Sequence, residues 1–167
     1  MKTIVKKTAY YWVLELLSIA SLLYTFYPLV FFCHLDKNIK IPIHYNLLGE
    51  IDGWGSRNFL FFLPVIAVLL YGLFLFVESY PKFINYPFST KNIDKDVLNR
   101  TGIAMMRHLK PVIIFTFAYL NNNSFNVAVG KSNATSVVVF LLTGLFLIPG
   151  FFMIRFFRQR TKKESDK

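Results

Sequence analysis

The sequence predicts an all-α membrane protein, a single polytopic domain of four transmembrane helices packed as a bundle. Two observations lead there. Hydrophobic residues make up 54% of the 167-residue chain and aromatics 18%, while charged residues reach only 17%, too little polar surface to cover a water-soluble globule. The apolar residues are also gathered into runs. Tyr11 to Phe32 holds one charge, Asn58 to Val77 and Ala134 to Ile154 hold none, and Val112 to Leu120 is a shorter run. Runs of about 20 apolar residues match the hydrocarbon thickness of a bilayer.

The expected spans are about 10–32, 58–79, 102–120 and 134–155. The first is longer than the core of a signal peptide and no small-x-small cleavage pattern follows it, so it is expected to stay in the mature protein. Val30-Phe31-Phe32-Cys33 places bulky phenylalanines where a lipoprotein signal wants small residues. Cys33 is the single cysteine, which excludes an intramolecular disulfide and any CxxC metal or redox motif. The third span must begin near Thr101 and carry Arg107, His108 and Lys110 in its first turns, long basic side chains reaching back to the headgroups. Pro28, Pro64 and Pro149-Gly150 are expected kinks, tolerated where neighbouring helices satisfy the released carbonyls.

Charge sets the expected orientation. Of the 19 Lys and Arg, 15 fall in the N-terminal tail, the second connection with the start of the third helix, and the C-terminal tail; Lys37, Lys40, Arg57 and Lys131 are the remainder. Basic residues accumulate on the cytoplasmic side, so both termini are placed there. The net charge of +10 is thereby assigned to orientation and to attraction for anionic lipid. No basic stripe interleaved with stacking aromatics points to nucleic acid. Tyr10, Tyr11, Trp12 and Trp54 suit the interfacial belts. Asn122-Asn123-Ser124 and Asn133-Ala134-Thr135 match the glycosylation pattern by chance. In the second connection, Pro81, Asn85 and Pro87 turn the chain. Asn92, with Asp94 and Asp96 in the first turn, opens a short amphipathic helix that runs into the third span.

Two groups of residues carry the candidate chemistry. Glu15 and Arg107 each lie about one turn inside the same membrane face at 1.5 Å per residue, and Glu78 and Arg155 end the second and fourth helices there. These four are expected to form a shared layer of charge, because an isolated ion in lipid is expensive. The second group is the outward loop, 33–57, and its stretch IPIHYNLLGEIDGWGS. Pro42 holds the preceding residue extended. Gly49, Asp52-Gly53 and Gly55-Ser56 read as turns, Trp54 as an interfacial anchor and Ser56 as the cap of the second helix. His34, His44, Glu50 and Asp52 lack a restrictive metal-ligand spacing, so no metal and no cofactor is assigned. His44 as a general base needs a nucleophile or substrate that the sequence does not show, and no catalytic residue is assigned.

The pattern IP-x-H-x-N-x-x-G-E-x-D-G-W-G-S followed by a basic residue, then an apolar helix with an early proline, resembles the SdpI-like family of bacterial membrane proteins, whose signature region is a domain of unknown function. Pro42, His44, Asn46, Gly49, Asp52, Gly53, Trp54, Gly55 and Arg57 carry the likeness, with Pro64 as the helix proline. Tyr80-Pro81-Lys82 and Asn85-Tyr86-Pro87 are a weaker trace. The resemblance implies a multi-pass protein of the bacterial cytoplasmic membrane; its named member is an immunity protein that also takes part in toxin sensing, with a longer membrane region. The first functional reading is therefore binding or sensing, immunity-like, of an extracytoplasmic peptide, lipid or protein through Pro42, His44, Asn46, Gly49, Glu50, Asp52, Trp54 and Arg57. A second is a small transporter or proton-coupled component using Glu15 and Arg107; a third is a membrane enzyme using His44 and Asp52. Ligand and oligomeric state stay open.

Overall fold

The computed structural model describes residues 8–46, 50–86, 94–131, 144, 146–156 and 158. Helix α1 (Ala9–Thr25) turns its large apolar side chains outward and buries Glu15, Ser18, Ser21 and Thr25. That three-to-four spacing makes one narrow polar stripe. The three hydroxyls each donate to the carbonyl four residues earlier, at 2.8, 2.8 and 3.0 Å. The stripe is thus small and satisfied within its own helix, which lets another helix approach closely. The chain breaks at Phe26 and resumes as α2 (Tyr27–Val30) and a 3-10 turn, Phe32–His34. Pro28 accounts for the break, having no N–H to offer the carbonyl of Tyr24.

An antiparallel hairpin follows, β1 (Lys40–Tyr45) and β2 (Ile51–Ser56), in register Lys40 to Ser56, Ile41 to Gly55 and Pro42 to Trp54, with irregularities on either side of His44. This amends the all-α expectation: the described residues are mostly helical and carry one two-stranded ribbon. It also corrects the turns assigned to Asp52-Gly53 and Gly55-Ser56, which lie within β2. Glycine is required there by space. A Cβ on Gly53 would stand 2.8 Å from the Cβ of His44, and one on Gly55 2.9 Å from Ile43 and from Phe59. Gly49, with Leu47 and Leu48, lies outside the described residues. Ser56 precedes a 3-10 turn, Arg57–Phe61, yet its side chain makes no capping bond.

Helix α3 (Phe62–Ser79) and a 3-10 turn, Pro81–Phe83, lead to the connection, of which residues 87–93 lie outside the described part. Helix α4 (Lys95–Ala128) has 34 residues, about 51 Å at 1.5 Å per residue, and overruns the expected 102–120 at both ends. At its start Asp94 is the N-cap, accepting from the N–H of Asp96 at 2.7 Å. At its far end Asn121, Asn122, Asn123 and Ser124, polar enough to pass for a loop, are buried and helical. Of the expected fourth span, α5 (Phe146–Phe156) is the main described part. The stretches Ala9–His34, Arg57–Ser79 and Lys95–Ala128 are each long and apolar enough to cross a membrane.

Helix α4 is the hub, packed along both α1 and α3. Lys110 of α4 meets Glu15 and Glu78, and Asn121 meets Thr25 and Leu60. Helices α1 and α4 therefore run in the same direction and α3 runs against them. The asparagines answer a need that the prolines create. Asn122 Nδ2 donates to the Tyr24 carbonyl at 2.9 Å, the one Pro28 cannot serve. Asn121 Nδ2 donates to Thr25 at 2.9 Å and to Leu60 at 3.2 Å, and Leu60 is the carbonyl four residues before Pro64. Where no water reaches, such groups need a partner from the protein. Ile41, Leu60 and Phe125 form a small apolar core that seats the hairpin on this end of α4.

Asn121→Leu and Asn122→Leu should each destabilise the protein by about 1–3 kcal/mol, the range for orphaning a buried acceptor. Denaturant unfolding in detergent micelles measures it; unchanged midpoints would show that the proline-released carbonyls need no side-chain donor.

Candidate functional site

The polar residues of the hairpin pair with one another. His44 Nδ1 lies 2.5 Å from Asp52 Oδ1 across the strands; since a carboxylate accepts, Nδ1 carries the proton, and the imidazole is largely exposed. Asn46 and Glu50 close the hairpin's end: the backbone N–H of Asn46 donates to the Glu50 carbonyl at 2.9 Å, that of Glu50 to Asn46 Oδ1 at 2.9 Å, and Asn46 Nδ2 to Glu50 Oε2 at 2.8 Å. Arg57 Nη1 donates to the Leu35 carbonyl at 2.8 Å, and its guanidinium lies 4.6 Å from the centre of the Phe32 ring. Arg57 thus fastens the 3-10 turn that leads into α3 to the 3-10 turn that follows α2. Trp54 is exposed.

Below the hairpin a cleft of about 280 Å³ opens between β1, the start of α3 and α4. Pro42, Ile43, Phe59, Phe62, Leu63 and Leu120 make its walls, and Tyr45, Asn121 and Ser124 add polar groups. Tyr45 is held there, its hydroxyl accepting from Asn123 Nδ2 at 3.3 Å and lying 3.4 Å from Ser124 Oγ. His44 stands at the rim. The His44–Asp52 pair has the form of a base with an orienting carboxylate, but among the described residues no hydroxyl or thiol bonds to it, and no three His, Cys, Asp or Glu side chains converge on a metal position. The pair acts as a clasp between strands.

Toward the other end of the bundle lies the charge cluster. Lys110 Nζ, in a side chain 1% exposed, donates to Glu15 Oε2 and to Glu78 Oε1, each at 2.7 Å. Arg107 Nε donates to Glu78 Oε2 at 3.2 Å, and its guanidinium rests 4.7 Å from the centre of the Tyr11 ring. Tyr71 donates its hydroxyl to Glu15 Oε1 at 2.5 Å. Of the four residues expected in a layer, Glu15, Glu78 and Arg107 meet. Arg155 does not: α5 buries Phe152 and Phe156 and leaves Arg155 exposed. Lys110 takes the central place instead. Its long basic side chain is expected at the headgroups, but two carboxylates within reach are the stronger partners. Its three-residue spacing from Arg107 was the available signal, since residues so spaced share a helix face. His108, also expected near the headgroups, donates from Nδ1 to the Ala104 carbonyl at 2.6 Å and accepts from the Tyr10 hydroxyl at 3.0 Å.

Membrane-length apolar helices around a polar, charge-paired interior suit a helical membrane protein. The sequence model of a domain of unknown function, DUF1648, matches residues 16–68, which covers most of α1, the hairpin and the start of α3. An uncharacterized protein of Archaeoglobus fulgidus is 32% identical over 111 residues, covering 62% of this chain, and the chain spans 60% of that protein's length. No solved structure matches. The matched domain supplies one wall of the cleft; α4, with Leu120, Asn121 and Ser124, supplies the other.

Lys110→Met would leave two buried carboxylates facing each other without their shared cation. Removing one partner of a buried ion pair costs about 3–5 kcal/mol. Lys110→Met should therefore unfold at much lower denaturant than the wild type, with partial recovery when Glu15→Gln is added; no recovery would refute the pairing.

Proposed function

We propose that the protein is a multi-pass protein of the cytoplasmic membrane, four spans with both termini inside, that binds an extracytoplasmic ligand in the cleft between hairpin and bundle. One observation carries the reading: the 280 Å³ cleft has apolar walls, a few fixed polar groups and a histidine at its rim, the general make-up of a small-ligand pocket. Its size fits an apolar side chain of a peptide or a segment of acyl chain. The hairpin residues Asn46, Glu50, Asp52 and Arg57 serve this site by holding the ribbon over it. Trp54 anchors the ribbon at the interface, and Gly49 belongs to the same signature. A sensing or immunity-like role is supported by the SdpI-like resemblance of the loop, as is a bacterial membrane.

A photo-crosslinking residue in place of Phe59 tests the site in intact cells. It should yield a discrete adduct that is lost when Leu63→Trp fills the cleft and weakened by His44→Ala. An adduct pattern matching that from the exposed position Val65 would mean bulk lipid contact and would sink the reading. Orientation has its own check. A cysteine in place of Lys40 should react with an impermeant reagent outside intact cells and one in place of Lys91 should not; the reverse result inverts the protein.

A further inference from the structure

The charge cluster forms a chain of partners, Tyr71, Glu15, Lys110, Glu78 and Arg107, in that order. With both acids ionised and both bases protonated its net charge is zero. A wholly structural clamp has no need of these groups, since apolar residues of similar volume often stabilise an interior as well or better. The two carboxylates are nevertheless not equivalent. Glu78 lies between Lys110 and Arg107, which only donate. Arg107, 7% exposed, also has its Nη1 without a hydrogen-bond partner among the described residues. The Glu78 end is thus already short of acceptors, and a proton on Glu78 would remove one more. Glu15 lies between Lys110 and Tyr71, and a phenol both donates and accepts. If Glu15 takes up a proton, the proton stays on the carboxyl, the Tyr71 hydroxyl turns its own hydrogen away and its oxygen accepts the hydrogen bond of the new Glu15 O–H, while Lys110 keeps its bond to Glu78.

We propose that Glu15 is a proton-binding site within the bundle, with Tyr71 as the partner that makes its protonation tolerable. The step is one proton added to the Glu15 carboxylate from the aqueous phase, taking the cluster from zero to +1. Its consequence is directional. The Lys110 bond to α1 weakens while the bond to α3 persists, so the contact between α1 and α4 answers to the proton. Tyr71 from α3 and Lys110 from α4 bond to Glu15 directly; Glu78 from α3 and Arg107 from α4 follow in the chain of partners beyond Lys110, with Tyr11 of α1 against Arg107. His108, next along α4, is occupied by Ala104 and Tyr10.

Infrared difference spectra of the protein in nanodiscs, recorded as pH is lowered, read this directly. The expected result is a reversible carbonyl band of a protonated carboxyl, appearing while helix content is unchanged. That band should vanish in Glu15→Gln, survive in Glu78→Gln, and move to higher frequency in Tyr71→Phe, where the carboxyl has lost its acceptor. The Tyr71→Phe shift alone assigns the band if Glu15→Gln does not fold. Absence of the band wherever the protein stays helical, its survival in Glu15→Gln, its loss in Glu78→Gln, or an unmoved frequency in Tyr71→Phe would each overturn the proposal.

Discussion

The carbonyls of Tyr24, Thr25 and Leu60 and the carboxylates of Glu15 and Glu78 all end on side chains of a single helix, α4. A polar group surrounded by apolar side chains and lipid must find its partner inside the protein or carry the full penalty of being unpaired. Helix α4 meets that demand twice, with asparagine amides at the hairpin end and with Lys110 and Arg107 toward the other. The two clusters are about 11 residues apart on α4, near 16 Å along the axis. Helices α1 and α3 are therefore fixed to it at two levels, which sets their relative height as well as their contact.

Apolar packing could not set that height by itself. Outward-facing Leu, Val and Phe side chains are as well solvated by lipid tails as by each other, so burial gives the helices little reason to choose one register. Hydrogen bonds and ion pairs are directional and discriminate between registers. The buried face of α1, Glu15, Ser18, Ser21 and Thr25, shows the division of labour: small hydroxyl residues permit close approach, and the residue at each end of the stripe is tied to α4.

The hairpin depends on the same helix. Ile41 buries against Leu60 and Phe125, and Tyr45 is held by Asn123 and Ser124. The cleft exists because β1 is fixed at a distance from Phe59, Phe62 and Leu63 that their side chains do not fill. The proposed binding cleft and the proposed proton site at Glu15 lie at different levels of α4, so a displacement of α1 against α4 is a physical route that would couple the two.

Legible along the chain alone were the parts: apolar runs of membrane length, the prolines that interrupt them, the need of Glu15 for a partner, and the compact polar segment between the first two runs. These depend on composition and spacing along the chain, which are local. Tertiary structure decided the pairings. Asp52-Gly53 reads as a turn until His44 is seen packed against Gly53 across the ribbon. Asn121 to Ser124 reads as a loop until the carbonyls freed by Pro28 and Pro64 are brought beside it. Lys110 belongs with the headgroups until two carboxylates from other helices converge on it, and Arg155 leaves the layer because Phe152 and Phe156 take the inward face of α5. Each of these turns on a partner remote in the chain, and the free energy of a polar side chain in an apolar setting is governed by that partner rather than by its neighbours in sequence.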